Sequence, residues 1–213
     1  MGATTTVIVR RDVTLAYASL DLARVDANGL RNLGGLAAAR VLVAPDAIAA
    51  AYPSASAAVE IGGNRIRATN QESGQELAAA ALCQIVSQCH KLAGAPALAA
   101  YGFNYAVELT LADDNLYANM AAMLTPDAQK AEALVGGSLM QMSFTPRIVF
   151  KRDQALYELM LLSPAGKVMR TTLTAHFERE GIELPSADQL EAACRKEFEG
   201  YTALLARLSQ GKR

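Results

Sequence analysis

The densest group of side chains that could do chemistry lies in the stretch ALCQIVSQCHKLAG, residues 81–94, which holds Cys83, Cys89 and His90. Thiolates and imidazoles bind zinc and can serve as nucleophile and base. With about 100° per residue, however, Cys89 falls in the apolar stripe of a helix, whereas Cys83 and His90 share another face and lie two turns, or about 10 Å, apart. Helical zinc ligands are three or four residues apart, and His176 belongs to a distant strand. We therefore expect Cys89 to be buried. Cys83 and His90 are expected to be ordinary residues at the edge of a packed helix.

A second candidate is a polar patch on a predicted strand over residues 168–178. His176 shares a strand face with Arg170, and a catalytic interpretation makes His176 an acid or base that Glu158 or Glu178 orients. The same residues also fit a solvated sheet face with cross-strand polar pairs. We favour this second interpretation because no serine or cysteine in a strained turn accompanies them. The candidate polar patch therefore consists of Arg170, His176 and Glu158, and no catalytic residue is assigned.

Motifs for cofactors and metals do not occur in the sequence. The glycine pairs at 34–35, 62–63 and 136–137 match neither the dinucleotide-binding pattern G-x-G-x-x-G nor the phosphate-binding loop G-x-x-x-x-G-K-[ST]. The pair Asp113-Asp114 lacks the spaced carboxylates of a magnesium or calcium site and fits helix capping better. We expect no cofactor and no metal.

Composition limits the partners and the compartment. The chain has 213 residues, of which 52% are hydrophobic and 19% charged, as is typical of a globular protein. Its 20 basic and 21 acidic residues give a net charge of −1, which argues against nucleic acid and anionic membranes as partners. Three cysteines without a C-x-x-C pair favour a reducing compartment. Because Arg10, Arg11 and Asp12 interrupt the first apolar run, we predict neither a signal peptide nor a spanning helix, and expect a soluble cytoplasmic protein.

Hydrophobic periodicity predicts an alternation of hairpins and helices. Ser186 and Gln189 form a capping box that starts the last helix. The predicted elements are strands at 5–9 and 13–20 separated by a turn or bulge, short helices near 29–39 and 46–51 with the strand RVLV between them, a hairpin at 57–71, a helix at 74–92, a strand at 98–111, a helical insert at about 113–136, strands at 139–151, 155–162 and 168–178, and a helix at 186–208.

These elements predict the α+β class. We expect a single domain over residues 1–213, built on one antiparallel sheet of about six to eight strands. Long helices, including the C-terminal one, are expected to cover one face of the sheet. The other face has a more polar pattern, and the sequence leaves open whether it meets solvent, a ligand or a partner.

One segment resembles a known architecture. RIRATNQESGQELAAAALCQIVSQCHKLAGAPALAAYGFNYAVEL runs from a strand ending in T-N-Q through a long helix to a strand with G-F-N-Y, and a later meander precedes the helix AACRKEFEGYTALLARL. This order resembles a large group of uncharacterised bacterial proteins whose architecture is similar to that of the SecB export chaperone. Over residues 57–111 and 139–208, the resemblance implies a homo-oligomer and a hydrophobic groove for extended peptides. It assigns a role to no individual residue.

The sequence thus favours a non-enzymatic oligomeric scaffold or binding module. Such a module would bind extended peptides or a protein partner through an apolar sheet or groove surface. The alternative is a small-molecule-binding protein or enzyme of the helix-grip type, with a pocket between the sheet and the C-terminal helix.

Overall fold

The computed structural model of the protein describes residues 5–70, 79–110, 129, 147–162 and 168–209. The helical insert predicted at about 113–136, apart from residue 129, and the first part of the strand predicted at 139–151 lie outside these residues.

Strands dominate the described chain, with two α-helices between and after them. In chain order the elements are β1 Thr5–Tyr17, β2 Asn32–Leu33, β3 Leu36–Ala37, β4 Arg40–Val43, β5 Ala47–Tyr52, β6 Ala57–Gly62, β7 Arg65–Asn70, α1 Ala79–Leu92, β8 Leu98–Thr110, β9 Arg147–Arg152, β10 Ala155–Leu161, β11 Val168–Ile182 and α2 Ala187–Ser209. Nine of the strands form one antiparallel sheet in the order β4-β5-β6-β7-β1-β8-β11-β10-β9, while β2 and β3 form a separate hairpin. The α+β class is confirmed, and the sheet has more strands than the six to eight predicted.

Both helices pack on the face of the sheet that carries its large apolar side chains. The 14 residues of α1 contact β1, β6 and β7, and the 23 residues of α2 contact α1 and β8. The predicted capping box is confirmed, since the Gln189 backbone N–H donates to Ser186 Oγ and the Ser186 N–H donates to Gln189 Oε1. The opposite face of the sheet, which we call the outer face, points away from both helices.

The described elements repeat one topology twice. In the first half, β1 is followed by the meander β4-β5-β6-β7, which has one strand more than its counterpart in the second half; its last strand returns to pair with β1, and α1 follows. In the second half, β8 is followed by the meander β9-β10-β11, whose last strand returns to pair with β8, and then by α2. The two halves join where β1 and β8 pair along their full lengths. The first strand of each half therefore lies at the centre of the sheet.

The two short helices predicted near 29–39 and 46–51 are wrong, and the first two predicted strands are one. Of the turn or bulge expected at Arg10, Arg11 and Asp12, the structure has the bulge, as a register shift between Ile8 and Arg10 within the single strand β1. The predicted helix at 46–51 is the strand β5, and 29–39 forms a short 3-10 turn and the β2-β3 hairpin. Alanines hid the two-residue alternation that β5 has in its burial, and the register shift in β1 interrupts the alternation there.

Candidate functional site

The outer face is organised around Asp12, in the middle of β1. Because side chains alternate along a strand, Arg10, Asp12 and Thr14 point to the outer face, whereas the buried Arg11 and Val13 point to the helices. The Asp12 side chain is 0% exposed although it lies on the face that the helices leave uncovered. A buried carboxylate is costly unless it is paired and hydrogen-bonded, so its neighbours define the site.

Each oxygen of Asp12 has its own pair of donors. Oδ2 accepts from Arg67 Nη2 at 2.7 Å and pairs with Arg10 Nη2 at 3.2 Å. Oδ1 accepts from Thr14 Oγ1 at 3.3 Å and from the side-chain amide of Asn104, on the neighbouring strand β8. The hydrogen bond to Asp12 raises the pKa of Arg67. One carboxylate thus fixes two guanidinium groups beside each other and leaves a local charge of about +1.

A concave basin of about 780 Å³ opens above this network. Its floor consists of small residues of the two central strands, among them Thr14, Ala16 and Gly102, and its sides carry Arg65 and His176. A Cβ atom on Gly102 would lie 2.8 Å from the Ala175 carbonyl oxygen, so close packing of β8 against β11 requires glycine there.

A second concavity of about 410 Å³ continues the basin toward the sheet edge and shares Glu60 and Arg67 with it. Its floor is alanine, and Leu42 of strand β4 lies at its far end with 48% of its surface exposed. Among the described residues, no strand pairs with the other edge of β4. We call the two concavities together the outer groove, lined by Arg10, Thr14, Ala16, Arg40, Leu42, Asp46, Ala47, Ala49, Ala51, Ala58, Glu60, Gly62, Arg65, Arg67, Gly102, Asn104, Thr174 and His176.

The predicted patch lies on this same face but does not converge. Glu158 stands opposite Thr174 in the β10-β11 ladder, and Thr174 shares its face with Arg170 and His176. Each residue of the patch has its own partner. Glu158 accepts two hydrogen bonds from Arg147, Arg170 Nε donates to Glu108 at 2.7 Å, and His176 Nε2 lies 3.4 Å from a Glu178 oxygen. Of the three, only His176 lines the outer groove.

The cysteine and histidine cluster is structural. Cys89 is buried as predicted, and burial raises its pKa to about 12. Cys83 is also fully buried, which corrects the prediction of an edge position, because α2 crosses α1 and covers a second flank of it. His90 Nδ1 lies 3.0 Å from the Tyr17 hydroxyl, and burial lowers the pKa of the imidazole. Within the described ranges, no three metal-ligating side chains come together.

The space between α2 and the sheet is occupied by aromatic side chains. The Tyr105 hydroxyl donates to the Cys194 carbonyl oxygen at 2.7 Å, and the Tyr105 ring packs against Phe198 and Tyr201. The Arg11 guanidinium lies over the Phe198 ring, 5.0 Å from its centroid. The helix-grip alternative places a ligand pocket between the sheet and this helix. The space around Tyr105 is packed, but a concavity of about 430 Å³ opens beside it, where Lys196 and Glu197 of α2 face Tyr157 and Phe177 of the sheet.

No protein-family model matches the chain, and no curated protein sequence matches it either. None of the helices in the described part is both long and apolar enough to cross a membrane.

The sequence did not reveal Asp12 as the centre of this site. It placed a turn or bulge at Arg10, Arg11 and Asp12, and it did not single out Asn104 as a site residue. The signal that was present is the alternation of Val13, Leu15 and Tyr17 after the charged triplet, which places Asp12 on the same face as Thr14 when it is extended back along the strand.

Proposed function

We propose that the protein is a binding module that holds an extended polypeptide segment in the outer groove. The observation that carries this proposal is that the two concavities adjoin at Glu60 and Arg67, so that together they extend across the strands from Leu42 on β4 to His176 on β11. Six strand spacings separate these two strands, or about 29 Å, the length of about nine extended residues.

The groove offers a polypeptide both kinds of contact that it needs. The alanine floor and Leu42 provide apolar surface at one end, and hydrogen-bonding side chains such as Asn104 and Thr174 provide polar contacts at the other. A shallow, open groove suits a chain that lies across the sheet better than it suits a small molecule, which is generally enclosed on most sides. The resemblance to SecB-like proteins, whose architecture implies a groove for extended peptides, points the same way.

The apolar surface involved is smaller than the sequence suggested. The aromatic face of β8 is buried beneath α1 and α2, so the contacts must come from alanines and from exposed residues near the sheet edges. Exposed Leu42 and Val43 on β4, and Val149 on β9, also favour the expected homo-oligomer, because apolar edge strands tend to pair with another chain.

Peptide binding by matched variants tests the proposal. Leu42 and Leu156 are both on the outer face, 48% and 44% exposed, but only Leu42 lines the groove. Fluorescence anisotropy with a labelled neutral peptide of about nine residues, three Ser-Val-Gln repeats, should give saturable binding. Covering a half-exposed leucine is worth about 1 kcal/mol, so Leu42→Asp should weaken binding about five-fold.

The control substitution Leu156→Asp should leave the affinity within about two-fold of the unmodified protein, since that side chain stands beside His176 but does not itself line the groove. Equal losses in the two variants would contradict a peptide site in the outer groove. So would the absence of saturable binding by the neutral peptide and by its acidic counterpart with glutamate in place of glutamine.

A further inference from the structure

The arrangement of Arg10 and Arg67 is more specific than a general peptide groove requires. Both guanidinium groups contact a single oxygen, Oδ2 of Asp12, each through one Nη2 atom. Each guanidinium has five N–H donors. The Nε–H of Arg67 is buried, so the donors that Arg67 can offer beyond its contact with Asp12 are those of its Nη atoms. The side chains of Arg10 and Arg67 are 51% and 37% exposed, and both line the basin. Asp12 therefore presents two arginines to whatever occupies the groove.

Charge is distributed unevenly within the basin. Asp12 compensates only one of its two arginines, and Arg65, on the same strand as Arg67, forms no ion pair with a residue of the described chain. Glu60 stands directly opposite Arg67 in the β6-β7 ladder and helps to raise the pKa of that arginine, while Asp46 lies beside the first residue of β5. Three arginines against three carboxylates make the region neutral as a whole, so recognition must come from direct hydrogen bonds and not from a broad positive field.

We propose that Arg10 and Arg67, positioned by Asp12, bind a carboxylate group of the polypeptide in the outer groove. This inference rests on the proposed function and narrows it to segments with aspartate or glutamate. Two guanidinium groups fixed side by side suit the two oxygens of a carboxylate, because they supply parallel N–H donors without a further cost of ordering. A free dicarboxylic acid carries the same group, and the experiment separates the two sources.

The test compares three peptides that differ in one residue type. Labelled peptides of three Ser-Val-Xaa repeats, with glutamate, glutamine or lysine at Xaa, are titrated with the full protein. We expect the glutamate peptide to bind about ten-fold more tightly than the glutamine peptide, and the lysine peptide to bind most weakly. Arg10→Gln should reduce the affinity for the glutamate peptide to that for the glutamine peptide, while leaving the glutamine peptide unchanged. Arg24→Gln is the matched control, because that arginine is exposed and lies outside the groove.

Arg67→Gln should have the same selective effect, and its thermal unfolding shows whether the variant is folded. Equal affinities for the glutamate and glutamine peptides would overturn carboxylate recognition and leave the peptide-binding function intact. Saturable binding of glutarate without binding of any peptide would overturn the polypeptide function and leave the carboxylate site. Tight binding of heparin would overturn the inference, because it would indicate a general field of positive charge. If neither peptides nor glutarate bind, both proposals fail.

Discussion

Replacing Asp12 with asparagine removes the centre of the outer-face network with almost no change of shape. The substitution keeps Oδ1, the acceptor for Thr14 and Asn104, and replaces Oδ2 with an amide that donates. The amide then faces the guanidinium groups of Arg10 and Arg67, which are donors as well. Two charge-assisted contacts are lost, and a donor opposes donors in their place.

The expected loss follows from the exposure of the two arginines. A hydrogen bond to a charged group contributes about 1.5–3 kcal/mol when it is buried. Because the arginine side chains are 51% and 37% exposed, we halve each contribution and expect a loss of about 2 kcal/mol from Asp12→Asn. For a chain of this length, the melting temperature should fall by about 4–8 °C.

The assay is differential scanning calorimetry, which compares the melting temperature of the Asp12→Asn variant with that of the Glu158→Gln variant. Glu158 accepts two hydrogen bonds from Arg147 at 2.7 and 2.9 Å, so its geometry matches or exceeds that of Asp12, but the pair is exposed to solvent. Solvent and salt screen such a pair, and Glu158→Gln should scarcely change the melting temperature. If Glu158→Gln lowers it as much as Asp12→Asn does, the assignment of Asp12 as a buried organising charge is refuted.

Two further predictions concern glycine packing and thiol reactivity. Gly102→Ala should destabilise the protein by about 2 kcal/mol or more, because the new Cβ would lie 2.8 Å from the Ala175 carbonyl oxygen. Gly200→Ala should stabilise it by up to about 1 kcal/mol, because its Cβ would be in ordinary contact with Arg152 Nη2 at 3.4 Å and alanine favours a helix. Denaturant unfolding of the two variants checks this pair, and a Gly102→Ala variant as stable as the unmodified protein would contradict the packing. The three buried cysteines, whose pKa values burial raises, should react with a thiol reagent at pH 8 only after unfolding, and rapid reaction of native thiols would contradict their burial.

The sequence allowed the elements with strong periodicity to be predicted. The strand at 98–111 and the last helix from its capping box at Ser186 were predicted nearly to the residue, because alternation and capping are local properties. The strand β5 was not predicted, because alanine has a high helix propensity and contributes little to a hydrophobic pattern. Its inward residues Ile48 and Tyr52 are buried by contacts with distant parts of the chain, which no local pattern contains.

The site was harder to predict because it depends on pairing between strands that are far apart in sequence. Asp12 and Asn104 are 92 residues apart, and Arg67 is 55 residues from Asp12. Each residue alone is an ordinary polar residue of a sheet face, as Glu158 and Arg170 are. Only the register of β7, β1 and β8 distinguishes a network around one carboxylate from a set of separate cross-strand pairs.

The repeated topology explains why the site lies at the seam between the halves. Asp12 belongs to the first strand of the first half and Asn104 to the first strand of the second, so the set of donors on Asp12 is complete only when β1 and β8 pair. The two halves do not contribute equally. On the outer face β7 presents Arg65 and Arg67, whereas β11, which occupies the corresponding place in the second half, presents threonines and His176 to the groove. Two similar units thus build one asymmetric groove, with its arginines on one side of the seam, and under the proposed function that asymmetry should give an extended segment a preferred direction of binding.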